Sequence, residues 1–248
     1  MVLTAIRGAL GFLTRVPVGH DESAWNAFAR TPVAFPIVGY LVGATLVLPL
    51  LVPGPAVTIA VLFVGTVYLV TGINHLDGVA DVGDAAVVHG NATERRAVMT
   101  DTAVGVGGAF AVVLTVLALW AGAIGMLELS TRAIVLVVVA EVGAKTAVAL
   151  CICFGSAPHE GLGSTFVDNA TPRSAVPVAL VAAGVVFLSW PRVIPSIAAL
   201  SAAVLAGVTT LLWARRRFGG VSGDVLGATN ELARIAALHV GVIAWTLW

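Results

Sequence analysis

Three aspartates are the residues of this chain whose types and spacing point most clearly to chemistry. Asp77, Asp81 and Asp84 occupy positions i, i+4 and i+7. On a helix they would lie within about 60° of one another around the axis, so they would share one face. Carboxylates that close repel one another unless a cation lies between them, and oxygen ligands suit a hard divalent ion. The spacing therefore predicts a metal site; the alternative is a solvated acidic turn at a helix end.

A second polar stretch lies further along the chain. Arg95 and Arg96 are followed by Asp101 and then by Gly105, Gly107 and Gly108 at the start of an apolar run. Free backbone N–H groups at such a helix start can hold a phosphate, and the arginines would add positive charge. The alternative is that the glycines only permit close helix packing in a membrane.

Two later stretches, 156–166 and 219–231, are rich in glycine and contain Glu160, Asp224 and Glu231. Either stretch could be an ordinary turn, because glycine is favoured wherever φ must be positive. On a helix that begins at Asp224, however, Glu231 falls at i+7 on the same face. It would then offer another oxygen to a metal ion or to a substrate hydroxyl.

One ion pair is expected inside an apolar segment. Glu141 and Lys145 are spaced i, i+4 within the run 133–154. Ionisable residues within a membrane span usually face the interior of the bundle and mark a functional site. The alternative is a structural pair that only fixes the rotation of its helix.

Composition indicates what holds these residues in place. The chain has 248 residues, of which 59% are hydrophobic and 10% charged, far more apolar than an average soluble domain. Its formal net charge is zero and its one basic run is 215–217, so we expect no nucleic-acid polymer as a partner. The lipid bilayer is the expected environment.

We predict an all-α fold, a polytopic transmembrane helix bundle in a single domain of residues 1–248. About seven apolar runs are long enough to cross a hydrocarbon core of roughly 30 Å. The last is the least regular, because it contains Arg234 and His239. Residues 1–12 are too short to span and are expected to form an interfacial helix. The predicted spans are 35–52, 56–73, 106–127, 133–154, 175–190, 194–213 and 232–248.

Charge predicts the orientation of these spans. If they alternate, the N-terminus and the loops 74–105, 155–174 and 214–231 share one side with nearly all the arginines, whereas Arg132 and Arg192 lie on the other. An excess of positive charge marks the cytoplasmic side. We therefore expect a multi-pass protein of the cell membrane with its active site on the cytoplasmic face.

Five stretches in order along the chain resemble the cobalamin synthase family, also called adenosylcobinamide-GDP ribazoletransferase. They cover nearly the whole chain, and the series is far more specific than any one motif. They are GFLTRVP at 11–17, HLDGVAD at 75–81, MTD at 99–101 with Gly105 and Gly108, EGLG at 160–163, and GGVSGDVLGA at 219–228 with Glu231.

The resemblance implies an Mg²⁺-dependent membrane enzyme. It would transfer the adenosylcobinamide phosphate moiety of adenosylcobinamide-GDP to α-ribazole, or to α-ribazole 5′-phosphate, and release GMP. Asp77, Asp81 and Asp84 would hold Mg²⁺, and Asp101 would complete the metal site or take the attacking proton. His75 is a candidate for the general base or for a contact that supports a metal ligand. The resemblance leaves open whether the protein forms a homo-oligomer. Substrate contacts are expected from Arg15, Arg95, Arg96, Gly105, Lys145, Glu160, Asp224 and Glu231.

Two other classes of membrane protein share parts of this pattern. A CDP-alcohol-type membrane phosphotransferase also has spaced aspartates around a metal, but its Asp-Gly pair is followed by Ala-Arg, whereas this chain has Ala80-Asp81. A cation-coupled transporter would carry ionisable residues in the middle of several spans. In the sequence only Glu141 and Lys145 stand out there, and the other charged residues collect on one side.

Overall fold

The structure is a computed structural model that describes residues 2–19 and 21–248, so Met1 and His20 lie outside the described part. The described residues form helices and no strand, as the composition predicts. Short 3-10 turns extend α3 and α10 and precede α8. The helices are α1 (Val2–Leu13), α2 (Glu22–Ala29), α3 (Ala34–Val47), α4 (Ala56–Thr71), α5 (Asn74–Val87), α6 (Ala92–Met99), α7 (Val106–Leu127), α8 (Val135–Phe154), α9 (Leu162–Val167), α10 (Ala175–Gly184), α11 (Val193–Phe218) and α12 (Gly223–Leu247).

Helix α8 lies at the centre of the bundle. It packs against α3, α11 and α12, and nearly all of its side chains are buried. Small residues let these helices approach closely: a Cβ on Gly43 of α3 would lie only 2.7 Å from the Cα of Val138. Close approach of this kind is typical of helix packing in membranes, where dispersion contacts replace a hydrophobic driving force.

Five helical segments are long and apolar enough to cross a membrane, and a sixth is obtained if α4 and α5 together count as one broken span. The helical membrane bundle is thus confirmed, with one or two segments fewer than the seven runs predicted. Helix α12 is not among them because its apolar sequence is interrupted by Asn230, Glu231 and Arg234. Helix α1 is present as predicted, and its interfacial position stays a prediction.

The bundle has two ends of different character. Residues 50–56 and 126–134 meet at one end, and Ser130 also lies beside 188–192 and the C-terminal tryptophans, so these segments share that end. We call it the far end. At the other end, which we call the acidic end, α5, α9 and the start of α12 come together. Between these ends, α3, α4, α7, α8, α10, α11 and α12 run in alternating directions. Their orientation in a membrane stays a prediction.

A bend between α4 and α5 places the aspartates at the acidic end. The two helices meet at an angle of 97°. Gly72 sits at the bend with φ of 73°, a value that favours glycine. Beyond the bend, α5 packs against α12 and α7 and lies outside the five apolar segments.

Candidate active site

A cavity of about 250 Å³ opens at the acidic end where several of the sequence motifs meet. Phe12 and Leu13 come from the first motif, Leu162 from the 160–163 motif, and Gly223 and Gly227 from the last. Much of the wall is apolar and aromatic, and Phe12, Phe28, Phe35 and Phe166 pack on one another beside it. The polar lining consists of Thr71, Asn74, His75, Asp77, Lys145, Asp224 and Asn230.

Two glycines explain why α5 and α12 lie close enough to share this cavity. A Cβ on Gly78 would lie 2.6 Å from the carbonyl oxygen of Asp224, and a Cβ on Gly227 would lie 3.2 Å from the Cα of His75. Side chains at either position would push the helices apart. The glycines therefore keep His75 and Asp77 on the same cavity as Asp224.

The carboxylates of the acidic end influence one another. Burial, together with Asp224, Asp77 and Asp84, raises the pKa of Asp81 to about 6. Burial also raises the pKa of Asp224, with a smaller contribution from Asp77, although the Ser222 hydroxyl donates to it at 3.3 Å. Burial is the larger cause of both shifts, and repulsion from the neighbouring carboxylates adds to it; a bound cation would offset both.

The donor set fits Mg²⁺ held by few protein ligands. Within residues 2–19 and 21–248, no group of three His, Cys, Asp or Glu side chains comes together closely enough to hold one ion. Mg²⁺ usually keeps several waters and is bound by one or two carboxylates together with substrate phosphates. Asp77 and Asp81, with Asp224 opposite, meet that need without a closed cage.

Asp84 has a partner that its spacing does not predict. Its carboxylate oxygens accept hydrogen bonds from the backbone N–H groups of Gly105, at 2.7 Å, and Gly108, at 2.8 Å. Asp84 thus caps α7, whose N-terminus carries unpaired N–H groups and a partial positive charge. The N–H of Gly105, which we expected to be free for a phosphate, is already occupied by this carboxylate.

The two arginines expected to bind phosphate are engaged by helix ends instead. Arg95 is buried and donates to the carbonyl oxygens of Ala85 and Ala86, at 2.9 and 3.2 Å, near the C-terminus of α5. Arg96 donates to the carbonyl oxygen of Phe218, at 2.7 Å, at the end of α11. Cations suit the negative ends of helices. Both side chains therefore fasten α6 to its neighbours.

Three other expected site residues lie outside the cavity lining. Asp101 and Glu160 are exposed, and Asp101 accepts a hydrogen bond from the N–H of Ala103 at 3.2 Å. Arg15 is also exposed, but its guanidinium packs against Gly72 at the bend before α5. Arg15 lies at the bend before α5 and Glu160 just before α9, and both helices contribute to the cavity lining.

The expected Glu141–Lys145 pair is present and belongs to a larger buried network. Lys145 Nζ lies 3.8 Å from a Glu141 oxygen and donates to Asn230 Oδ1 at 2.6 Å. Arg234 pairs with Glu141 and reaches both oxygens of Glu231 at 2.6 Å. Two carboxylates and two cations make the network neutral when all four are charged. All five side chains are buried, so each charge depends on its partners.

Glu231 therefore lies within this network and has no free oxygen facing the aspartates. His75 borders the same network, with Nδ1 at 3.8 Å from a Glu231 oxygen. This Nδ1 atom is buried, and no residue of the described chain forms a hydrogen bond with it. Burial, with smaller effects of Lys145 and Arg234, holds the pKa of His75 well below its usual value. The imidazole is accordingly neutral.

Sequence reasoning assigned no role to Arg234 and treated Asn230 only as part of a polar stretch. The sequence also predicted that Glu141 and Lys145 are the only charged residues deep in the bundle. This prediction is wrong, because Glu231 and Arg234 are buried beside them. A signal was available: Glu231 and Arg234 are spaced i, i+3 on the edge of an apolar run. Such pairs face one another on a helix.

An apolar helix bundle with acids, a histidine and a buried lysine around one cavity is the arrangement of an integral-membrane enzyme. Comparison with known proteins identifies the particular family. A family model described as cobalamin-5-phosphate synthase matches residues 5–242, and the chain belongs to this family.

Relatives named adenosylcobinamide-GDP ribazoletransferase cover essentially the whole chain. The protein of Halorubrum lacusprofundi is 57% identical over 255 residues, covering 99% of each chain. That of Haloquadratum walsbyi is 46% identical over 254 residues and covers all of both chains. That of Methanocella arvoryzae is 36% identical over 268 residues, covering 100% of this chain and 97% of the relative. No solved structure matches the chain.

Proposed function

We propose that the chain is a membrane transferase that joins adenosylcobinamide-GDP to α-ribazole or α-ribazole 5′-phosphate and releases GMP in an Mg²⁺-dependent reaction. Family membership and the name shared by its relatives support the two substrates. The observation that carries the proposal within this chain is the single cavity shared by His75, Asp77, Lys145 and Asp224. These residues come from three helices and provide the groups that such a transfer requires.

Lys145 binds the donor. Its ammonium has three N–H donors, of which one is used by Asn230 at 2.6 Å, and Glu141 lies at 3.8 Å. Because Lys145 lines the cavity and is otherwise buried, a remaining donor is available to a diphosphate oxygen in a site that excludes water. A cation held in such a place stabilises developing negative charge strongly and needs little reorganisation.

Asp77 and Asp81, assisted by Asp224, are the residues that would hold Mg²⁺. When bound there, the ion neutralises charge on the donor diphosphate and on the phosphate that leaves. Asp77 and Asp224 also favour one orientation of the donor, because their charge is opposite to that of Lys145 in the same cavity.

The transfer itself is a displacement at phosphorus. A hydroxyl oxygen of the ribazole forms a bond to the phosphorus that carries the cobinamide, and the bond from that phosphorus to the bridging oxygen breaks. GMP leaves with the bonding electrons. The hydroxyl proton passes to the neutral imidazole of His75, which lines the cavity; Asp101, the other candidate, lies outside it. Holding the reacting hydroxyl and the donor diphosphate together at this cavity makes the displacement effectively unimolecular.

The cytoplasmic face of the cell membrane is the proposed location of the site. The acidic end carries most of the arginines, including the run Arg215–Arg217 at the end of α11. The far end has Arg132 and Arg192. This asymmetry favours a cytoplasmic acidic end.

GMP release by the purified protein tests the proposal. Protein in detergent is incubated with adenosylcobinamide-GDP, α-ribazole and Mg²⁺. We expect GMP to appear, to stop when Mg²⁺ is chelated, and to fall at least about tenfold in Asp77→Asn, the typical cost of a lost metal contact. Asp168→Asn is the matched control, an exposed aspartate outside the cavity lining. Undiminished release after chelation, or from Asp77→Asn, would contradict the assigned site.

A further inference from the structure

The far end carries a groove that the proposed reaction does not use. Its volume is about 840 Å³, and its lining combines Arg132 and Arg192 with Trp190, Trp245 and Trp248. These residues come from the segment just before α8, the turn between α10 and α11, and the end of α12. A ligand in this groove would therefore contact three separate parts of the bundle at once.

Two basic side chains and no acidic side chain line the groove, although the chain as a whole has no net charge. Both arginines of this end line it, whereas the acid of the neighbouring loop, Glu128, does not. Arg132 is exposed and forms no hydrogen bond or ion pair with the described residues. The charge therefore suits an anion.

Arg192 is held in a fixed orientation. Its guanidinium lies 4.9 Å from the centroid of the Trp245 ring, and its Nη2 atom donates to the Trp245 carbonyl oxygen at 2.9 Å. Stacking on an aromatic ring fixes the plane of a guanidinium, and most of its five N–H donors remain for a ligand. Preorganised in this way, Arg192 can bind a phosphate with two parallel hydrogen bonds.

The rim of the groove is apolar and exposed. Trp190 is 72%, Trp248 62% and Leu188 50% exposed. Tryptophan at the ends of apolar helices is typical of the membrane–water interface, where the ring meets both lipid and water. A ligand that matches both parts has an anionic phosphate next to an apolar body.

We propose that this groove binds the phosphate of an anionic membrane lipid, with the phosphate between Arg132 and Arg192 and the acyl chains along the exposed rim. The free phosphate of a soluble metabolite would satisfy the arginines but leave the rim uncovered. A bound lipid joins the ends of α8, α10 and α12, so it stabilises the bundle from the side opposite the cavity.

Thermal unfolding in mixed micelles tests this site. The purified protein is placed in detergent micelles that contain increasing phosphatidylglycerol, or phosphatidylcholine at the same mole fraction. We expect phosphatidylglycerol to raise Tm and phosphatidylcholine to leave it unchanged. Arg132→Gln should weaken the apparent affinity for phosphatidylglycerol about fivefold, the typical contribution of one basic residue at a charged membrane surface.

The controls separate a specific site from general effects. Arg173→Gln removes an exposed arginine beside the opposite end of α10 and should respond to phosphatidylglycerol like the unaltered chain. Arg192→Gln should also weaken the affinity for phosphatidylglycerol. If the loss of its contacts with Trp245 unfolds the protein, Arg132→Gln still tests the site, because the Arg132 side chain has no partner in the described chain. An unchanged phosphatidylglycerol response in Arg132→Gln would overturn the proposal. An equal shift with soluble glycerol phosphate would overturn the lipid as the ligand.

Discussion

Substituting Asp84 by asparagine should lower stability rather than remove a metal ligand. Asp84 accepts hydrogen bonds from the N–H groups of Gly105 and Gly108 at the start of α7. The amide of asparagine keeps one oxygen, and its NH₂ group would face the second N–H without being able to accept from it. The change thus removes one charge-assisted hydrogen bond and the negative charge at a helix N-terminus.

The size of this effect follows from those two losses. A hydrogen bond to a charged group contributes about 1.5–3 kcal/mol, and a charge at a helix N-terminus about 0.3–1 kcal/mol. Together they predict a loss of about 2–4 kcal/mol in the free energy of unfolding, or on the order of 4–16 °C in Tm for a chain of this length. Asp77 is exposed and accepts no hydrogen bond from the described residues. Asp77→Asn should therefore change stability by less than about 0.5 kcal/mol.

The pair of variants separates the two roles by two measurements on the same preparations. Thermal unfolding in detergent should show a lowered Tm for Asp84→Asn and an unchanged Tm for Asp77→Asn. GMP release, measured well below either Tm, should be lost in Asp77→Asn and largely kept in Asp84→Asn. If Asp84→Asn has the same Tm as the unaltered chain and yet releases no GMP, Asp84 acts on the reaction directly and the capping argument is refuted.

Two further changes test the buried network and the orientation. Lys145→Met leaves the network with one unpaired negative charge and should destabilise the protein. Glu141→Gln with Lys145→Met makes the network neutral again and should restore Tm without restoring GMP release. Recovered release would show that the pair is only structural. Cysteines placed at the exposed positions Ala97 and Asn169 should react with a membrane-impermeant thiol reagent from one side of the membrane, and a cysteine at the exposed Ser130 from the other. Reaction of all three cysteines from the same side would contradict the alternating helices.

The helices and their order could be predicted from the sequence because each apolar run carries its own signal. Residues 106–127 and 133–154, for example, appear as α7 and α8 with nearly the predicted limits. The last run could not be judged in the same way. Its polar residues Asn230, Glu231 and Arg234 reduce its apolarity, yet they are buried. Lys145 and Glu141 of α8 pair with Asn230 and Arg234, and Arg234 in turn pairs with Glu231. Local composition does not contain that pairing.

The site was predictable as a set of residues and less so as a set of roles. Asp77, Asp81 and Asp84 share a helix face as their spacing predicts, but only the approach of α7 turns Asp84 into a cap. Arg95 and Arg96 have the chemistry of phosphate ligands, but their guanidinium groups donate instead to carbonyl oxygens at the ends of α5 and α11. Long-range contacts decide which of several suitable partners a charged side chain takes.

The buried network also explains how the cavity keeps side chains of both charges in its lining. Arg234 compensates Glu231 and shares Glu141 with Lys145, so the ammonium of Lys145 is not fully neutralised by one close carboxylate. Asn230, a neutral acceptor, is its nearest partner at 2.6 Å. Since a charge in a buried site acts over a longer range than in water, Lys145 keeps attraction for an anion in the cavity. Asp77 of α5 and Asp224 of α12 line the same cavity and favour a cation beside them.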